Sequence, residues 1–270
     1  MKYTISRPKT LLFSLLFLTH FAFSQEIKKE KWPNGKLKST GTIVNGKEDG
    51  LWTYFYENGQ KEREGTYLEG KRHDKWSEWY ENGKLWTEQY FKLNIPEGYA
   101  AEYDMNGQKV EEGTFKKGKP AGLFNSWFNT GQPKSKGEKY GDILEGHWIY
   151  YHENGNKDSE GDFKEGKKTD LWIEYFENGK LKSQGYYFND IKNGKWAFWF
   201  DNGREKEKGE FRNGFKYGKW IEWFDNGQTK SMGSYLGNEK DGSWQYWDDK
   251  GNLKRQESWL DRQLIDNKDF

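Results

Sequence analysis

Glycine recurs through this chain at a fixed interval, and that interval limits the folds the chain can adopt. Ten glycines are spaced by 24 residues without an insertion or deletion, at positions 35, 59, 83, 107, 131, 155, 179, 203, 227 and 251. Asn precedes eight of them. A period of this length is typical of an array in which each unit packs on its neighbours. We therefore expect ten similar units.

Asn-Gly between two alternating segments predicts a β-hairpin with a two-residue type I′ turn, because that turn needs positive φ at both central residues. Each unit then reads as strand, Asn-Gly turn, strand and a second polar loop, such as 69–74 or 165–170. No segment has a helical pattern. The sequence predicts an all-β fold, an elongated single-sheet array of ten 24-residue hairpins with twenty strands.

Tryptophan recurs seven residues before the turn glycine in seven of nine units, at Trp52, Trp76, Trp148, Trp172, Trp196, Trp220 and Trp244. Ala100 and Phe124 stand in the other two units. A two-residue turn places Trp52 opposite Gly65, and the same offset places Trp196 opposite Gly209. An indole over a cross-strand glycine covers bare backbone. We expect the tryptophan to cover the glycine of its own hairpin at Trp52, Trp148, Trp172, Trp196 and Trp220.

The same turn assumption sorts the other aromatics onto two faces. The first face is expected to hold the tryptophan column, the return-strand aromatics such as Tyr67 and Phe163, and the aromatics three residues before the turn glycine, Tyr56, Tyr80, Phe128, Phe176, Phe200 and Phe224. This aromatic face is the predicted partner-binding surface. The opposite face is expected to hold the aromatics four residues before the glycine, packed against the stems of Lys134, Lys182, Lys206, Lys230 and Lys254.

Residues 1–24 have the pattern of a secretory signal peptide. Three basic residues precede an apolar run, 11–23, and small side chains stand at Ala22 and Ser24. The run has about 13 apolar residues, against the roughly 20 that span a bilayer, so it is not expected to be a transmembrane anchor. We predict cleavage near Ser24-Gln25 and an exported protein, periplasmic or secreted, in which residues 25–270 form a single repeat domain.

Composition excludes several function classes. Removing the leader takes away three positive charges and no negative one, which leaves 41 Lys and Arg against 43 Asp and Glu. This balance argues against nucleic acid and anionic membranes as partners. Cysteine is absent, so the chain has no disulfide framework and no thiolate metal site. Aromatics make up 19% of the residues, too many for a disordered chain, so the rings are expected to form the core.

A composite motif runs through the units: W-x-x-(Y/W/F)-(Y/F)-x-N-G-x-x-x-x-x-G-x-(Y/F), followed by a loop that ends in G-x-W. It is clear in 145–163 and 194–211. The pattern resembles the MORN repeat variant of bacterial proteins described as YwqK-type antitoxins, over about residues 31 to 265. The resemblance implies a scaffold for protein interactions, and some MORN proteins are linked to membrane lipids. An antitoxin role would fit this chain if the toxin were itself exported.

Candidate catalytic and metal-binding residues are few. The histidines after the leader are His73, His147 and His152. The last two are five apart, so they point to opposite sides of one strand and are not expected to share a metal. Glutamates recur in one column, at Glu78, Glu102, Glu174 and Glu222. The first two would stand roughly 9.5 Å apart, a separation compatible with an inverting glycosidase, but a column facing Thr and Ser is more typical of a solvated edge. We expect no enzyme activity, no metal and no cofactor.

The third to fifth units depart from the pattern. Ala100 replaces tryptophan, Asp104 replaces an aromatic, and three prolines occur, Pro96, Pro120 and Pro133. Proline interrupts strand hydrogen bonding. The zone 96–133 is therefore interpreted either as repeat decay that bends the array, or as a site where a partner fills the space of the missing rings. The last unit is expected to be a frayed cap.

The sequence favours an exported, non-enzymatic scaffold that binds another protein through its aromatic face. Two further hypotheses stay open: an envelope glycan-binding module, since sugars stack on exposed rings, and an antitoxin-like neutraliser of an exported toxin. An uncovered aromatic face this long would exceed the few hundred Å² that monomers usually expose. The array is therefore expected to curl, pair or bind. The sequence does not fix its oligomeric state.

Overall fold

The computed structural model describes residues 24–270; the predicted signal peptide lies outside this range except for Ser24. The described chain is one antiparallel sheet in which every strand pairs with the next one along the sequence. The strands are β1 Gln25–Lys31, β2 Leu37–Val44, β3 Lys47–Phe55, β4 Lys61–Leu68, β5 Lys71–Trp79, β6 Leu85–Lys92, β7 Ile95–Tyr103, β8 Lys109–Lys116, β9 Lys119–Trp127, β10 Pro133–Tyr140, β11 Ile143–Tyr151, β12 Lys157–Lys164, β13 Lys167–Tyr175, β14 Leu181–Phe188, β15 Ile191–Trp199, β16 Glu205–Arg212, β17 Phe215–Trp223, β18 Thr229–Leu236, β19 Glu239–Trp247, β20 Leu253–Leu260 and β21 Gln263–Asp269.

The all-β, single-sheet prediction is confirmed. The described residues form ten hairpins and one strand more than the twenty predicted, β21, which pairs with β20 and is exposed along its whole length. The last repeat therefore continues the sheet rather than fraying before β21. No helix in residues 24–270 is long and apolar enough to cross a membrane.

The Asn-Gly turns are not the two-residue turns that the sequence predicted. The carbonyl of Tyr56 accepts a hydrogen bond from the Gly59 N–H at 2.9 Å, and the Tyr56 N–H donates to the Gln60 carbonyl at 2.9 Å. Gly59 has a φ of 95°, whereas Asn58 is not in the positive-φ region. These features define a three-residue loop, a type I turn followed by a left-handed glycine.

A bulge then restores the register that a two-residue turn would have given. Phe55 pairs with Lys61 and Tyr54 with Arg63, so Glu62 is left out of the ladder. Beyond this bulge Trp52 stands opposite Gly65, as predicted. The sequence therefore gave the wrong turn type and the wrong pairing beside the turn, but the correct pairing along the rest of the hairpin.

Type I′ turns lie at the other edge of the sheet, in the polar loops. Leu68 pairs with Lys71 around Glu69 and Gly70, whose φ angles are 51° and 79°. The same two-residue geometry occurs at Asn189-Asp190 and Asp261-Arg262. Positive φ at both central residues identifies these loops as the tight hairpin turns.

Asparagine has a different role at the Asn-Gly turns. The Asn58 Oδ1 accepts from the Gln60 N–H at 2.8 Å, and its Nδ2 donates to the Glu81 carbonyl of the next repeat at 3.1 Å. The same bond to the next repeat is made by Asn34, Asn82, Asn154, Asn178, Asn202 and Asn226. The asparagines therefore tie successive hairpins together along one edge.

The residue two positions before each column tryptophan also has positive φ. It is glycine in most repeats, for example Gly146 with φ 66°, and aspartate at Asp74 and Asp170, each with φ 56°. This column sits where the register shifts between neighbouring hairpins, as between Gly185 and Tyr186. The glycine of the G-x-W motif is thus required by the backbone, since other residues adopt left-handed φ at a cost.

Candidate interaction surfaces

Each column tryptophan lies on a glycine of the preceding hairpin, not on the glycine of its own. A Cβ placed on Gly185 would overlap the indole of Trp196, and the Trp196 Nε1 donates to the Tyr186 carbonyl at 3.0 Å. Trp196 does pair with Gly209 in the backbone ladder, but its ring leans the other way. The expectation that a tryptophan covers the glycine of its own hairpin was therefore wrong. The contact between the indole and the glycine backbone therefore joins one repeat to the next.

All seven tryptophans repeat this geometry. Their rings lie over Gly41, Gly65, Gly137, Gly161, Gly185, Gly209 and Gly233, each eleven residues earlier. Phe124 takes the same place over Gly113. In each tryptophan repeat the indole N–H donates to the carbonyl of the residue that follows the glycine.

Return-strand aromatics fill the spaces between the tryptophans. Phe163 meets Trp172 edge to face at 5.1 Å, and Tyr187 meets Trp196 in the same way at 5.1 Å. Such contacts link nine rings without a break from Trp148 to Trp244. T-shaped pairs add about 0.5–1.5 kcal/mol each beyond area burial. The row stabilises the array along its length.

Basic side chains cover the tryptophan rings from the solvent side. The Nζ of Lys168, Lys192 and Lys216 stands 4.0, 4.2 and 3.9 Å from the ring of the tryptophan four residues later. Burial among rings lowers the pKa of Lys192. The seven tryptophans are only 1–3% exposed. We call this side of the sheet the tryptophan face; its indoles are the core of the protein. A direct contact between them and a partner stays a prediction.

The aromatics three residues before the turn glycine do not join this row. They are half-buried at the turn edge, where the Tyr56 Oη donates to the Trp79 carbonyl at 2.6 Å and the Tyr80 Oη to the Tyr103 carbonyl at 2.9 Å. Phe128, Phe176, Phe200 and Phe224 occupy the same turn position. Like the asparagines, the two tyrosines connect successive turns. The predicted binding residues are thus divided between a buried row and a turn edge.

The opposite side of the sheet, which we call the second face, carries the aromatics four residues before the glycine. These rings are half-buried, and lysines do lie over some of them, but not the predicted ones. Lys61 stands 5.4 Å from Trp79 and Lys208 stands 4.9 Å from Trp223. Lys134 and Lys206 lie instead over Phe128 and Phe200, at 5.8 and 5.7 Å.

Two more of the predicted lysines pair with carboxylates: Lys230 contacts Glu222 at 2.8 Å, and Lys254 contacts Asp248 at 3.9 Å. Lys182 makes no ion pair or ring contact with any other described residue. The bulge after each turn shifts these lysines out of the predicted pairing, as where Trp199 pairs with Glu205.

The glutamate column lies on the tryptophan face, two residues after each tryptophan position, rather than on a solvated edge. Glu174 accepts a hydrogen bond from the buried Ser183 at 2.9 Å, and Glu222 accepts one from the buried Ser231 at 3.2 Å. These contacts hold the carboxylates between strands of a hairpin. They give the column a structural role.

The histidines make local contacts. His147 Nδ1 lies 2.9 Å from Asp162, and His152 Nε2 lies 3.1 Å from the Tyr175 carbonyl. Among residues 24–270 no group of three His, Asp or Glu side chains could hold a metal ion.

The irregular zone keeps its strand pairing. Pro96 and Pro120 occupy the second positions of β7 and β9, and the ladder runs through both strands. At Ala100 the missing indole leaves a cavity of about 180 Å³, bordered by Gln89, Phe115 and Phe124. Gln89 stands where other repeats have the glycine under the indole, so it occupies part of the vacated space.

Comparison with known families matches six segments of the chain to the model of the MORN repeat variant: 48–69, 75–93, 144–165, 171–189, 216–236 and 240–261. These segments are therefore similar to the MORN repeat variant. The whole irregular zone, 96–133, falls in the gap 94–143 between the matched segments. No curated protein matches the chain.

Among solved structures, the chain is similar to part of the crystal structure of TcdB2-TccC3-Cdc42, at 10% identity and a TM-score of 0.22. The structures of TcdB2-TccC3-TEV and TcdB2-TccC3 match at 11% identity and TM-scores of 0.17. Each match covers 87% of this chain and 17% of the other. These scores are too low to support an argument about fold or function.

Proposed function

We propose that the MORN repeat variants of this chain form an exported, non-catalytic scaffold that binds another protein along the sheet. The observation that carries this proposal is the uncovered single layer. Twenty-one strands at about 4.8 Å spacing give a surface roughly 100 Å long, and no second layer formed by residues 24–270 packs on it. The aromatic core is already closed by contacts within the sheet, so both faces are free to bind.

The second face supports this role better than the tryptophan face. Large apolar side chains stand exposed on it, including Leu51 at 60%, Leu123 at 55% and Tyr186 at 50%. Exposed aromatic and aliphatic side chains on a rigid scaffold are typical anchors of protein interfaces. The column tryptophans then act by holding successive hairpins together rather than by direct contact with the partner.

The test is site-specific photo-crosslinking of the exported protein in its native envelope. A crosslinker at Leu123 samples the second face, and a crosslinker at Glu174 samples the tryptophan face. We expect one protein to be recovered specifically from Leu123. Failure of both positions to recover any specific protein would refute the scaffold role. Mass spectrometry of the exported product, with an expected N-terminus at Gln25, tests the signal peptide.

The glycan-binding and antitoxin-like functions stay predictions. Stacking of sugars on the column indoles would require those rings to be exposed, and they are 1–3% exposed. Co-expression with an exported toxin encoded beside this chain would test the antitoxin hypothesis.

A further inference from the structure

An open trough crosses strands β13 to β17 on the second face. Its volume is about 620 Å³, within the range of roughly 300–1,000 Å³ typical of binding sites. Leu171 and Ile221 stand at its two ends and Tyr186 lines it. The trough crosses five strands, so it is on the order of 19 Å long at about 4.8 Å per strand.

A small side chain at the centre opens this trough. Ala197 lies on its floor, in the column where neighbouring repeats have Ile149, Ile173 and Ile221. Ala197 pairs with Gln184 on one side and with Lys208 on the other, and both lie on the same face. The space of the absent isoleucine is therefore open to solvent, between larger apolar residues at both ends.

The residues that line the trough carry an excess of positive charge. They include three lysines, Lys195, Lys208 and Lys219, and one carboxylate, Glu210, which is paired with Arg212 at 3.1 Å. Lys208 is paired with Glu205 at 3.0 Å. Lys195 and Lys219 are exposed and make no ion pair within residues 24–270. In the column of Lys208, four earlier repeats have a glutamate, one has Lys136 and one has Gln184.

The corresponding surface near the N-terminal end has no such excess of positive charge. It is lined by Glu64, Glu88 and a single lysine, Lys75. Glu88 forms an ion pair with Lys75 at 2.7 Å, and Glu64 forms one with Lys61 at 2.8 Å. The trough thus differs from this surface in having two lysines, Lys195 and Lys219, that make no ion pair within residues 24–270.

We propose that this trough binds an extended acidic segment of the partner protein, with one large apolar side chain seated over Ala197. The carboxylates of the segment meet Lys195 and Lys219, which make no other ion pair within residues 24–270, and its apolar side chain packs on Ala197. A segment of about six extended residues spans the trough, at roughly 3.3 Å per residue. The proposal rests on the scaffold function and specifies where the partner binds and what its chemistry is.

Fluorescence polarisation with a labelled hexapeptide Glu-Glu-Phe-Phe-Glu-Glu tests this site on the full mature chain. We expect saturable binding that weakens as salt is raised, because exposed charge pairs are screened. The substitution Ala197→Ile fills the trough with the residue that neighbouring repeats already accommodate, and it should weaken binding at least tenfold. Ser77→Ile, in the same column of β5, is the matched control and should leave binding unchanged.

A Lys-Lys-Phe-Phe-Lys-Lys peptide should not bind. Equal binding of the two peptides, or binding unaffected by Ala197→Ile, would overturn the proposal. The two proposals fail separately. If the envelope partner crosslinks equally well to the Ala197→Ile protein, the scaffold role stands and the trough is not its site. If the acidic peptide binds specifically but no partner is recovered, the trough stands and the scaffold role loses its support.

Discussion

Among the differences between the third repeat and the repeats from Trp148 to Trp244, two positions change together. In the regular run every tryptophan rests on the glycine eleven residues before it. In the third repeat Ala100 stands at the tryptophan position and Gln89 stands at the glycine position. This difference indicates that the tryptophan and the glycine eleven residues before it depend on each other. Each of these repeats has both residues or lacks both.

The last repeat gives a second instance. Glu257 occupies the glycine position, and the residue eleven positions later is Lys268. In the other eight repeats glycine is present and a tryptophan or Phe124 lies over it. Glycine is thus absent only where no ring follows, as expected if its role is to leave room for the indole of the next hairpin.

The largest effect should come from removing a ring in the regular run. Trp196→Ala is expected to lower the free energy of unfolding by about 3–5 kcal/mol, because a fully buried indole is replaced by a cavity. Trp199→Ala, which removes a half-buried ring three residues away, should cost clearly less. Urea unfolding monitored by circular dichroism checks the pair. Equal losses would show that the buried row is not the core.

Adding a side chain to the glycine beneath an indole should have the next largest effect on the free energy of unfolding. Gly185→Ala places a methyl group where the Trp196 ring lies and is expected to cost about 1–3 kcal/mol, a typical overpacking penalty. Gln89→Ala, at the same column where no ring lies above, should change stability much less. The same unfolding measurement tests both variants, and a harmless Gly185→Ala would contradict the packing described.

Glu257 should make the last repeat sensitive to acid. It is 5% exposed and accepts hydrogen bonds from Tyr246 at 2.7 Å, Trp259 at 2.9 Å and Lys240 at 3.0 Å. Burial acts to raise the pKa of Glu257, but these bonds together hold it below the ordinary value. Its stabilising contribution is therefore present above the unfolded pKa of about 4.3 and is lost as pH falls through the lowered pKa.

The Glu257→Gln variant should accordingly lose about 1–2 kcal/mol at neutral pH, since hydrogen bonds to a charged group are the stronger ones. The difference from the unsubstituted protein should narrow as the pH falls below 4. Denaturant unfolding at a series of pH values provides the comparison. A difference that stays constant down to pH 2 would mean that the carboxylate charge contributes nothing.

The smallest effect concerns the backbone of the G-x-W column. Asp170 adopts a left-handed φ of 56° where most repeats have glycine. Asp170→Gly is expected to raise stability by about 0.5–1 kcal/mol, because a strained conformation is relieved. The reverse change in the same column, Gly146→Asp, should cost a similar amount. Thermal unfolding resolves both variants. A loss of stability in Asp170→Gly or a gain in Gly146→Asp would refute the strain assigned to this column.

Much of the fold follows from the sequence because the 24-residue period and the alternation of side chains are local signals. The pairing of Trp52 with Gly65 was predictable. The loop is one residue longer than predicted, and the bulge at Glu62 restores the register that a two-residue turn would give. The turn type was not, because Asn-Gly suits both a two-residue turn and the three-residue loop. What asparagine does here, a hydrogen bond to the next hairpin, depends on stacking that no local pattern shows.

The glycine that each indole covers could have been found. The within-hairpin offset sets Trp76 against Gln89 and Trp244 against Glu257, whereas the offset of eleven upstream gives every tryptophan a glycine. The binding surface was harder to predict. The alternation of side chains placed the tryptophans on one face. It did not show that Lys168, Lys192 and Lys216 each cover the ring of the tryptophan four residues later in the sequence.

A double-mutant cycle at positions 89 and 100 tests most directly whether tryptophan and upstream glycine act as one unit. Gly113, the glycine of the same hairpin, is already present, so only Gln89 stands in the way of an indole at position 100. We predict that Ala100→Trp alone gives no gain in unfolding free energy. Together with Gln89→Gly it should give a gain, with a coupling of at least about 1 kcal/mol. A gain from Ala100→Trp alone, with additive effects, would contradict the account.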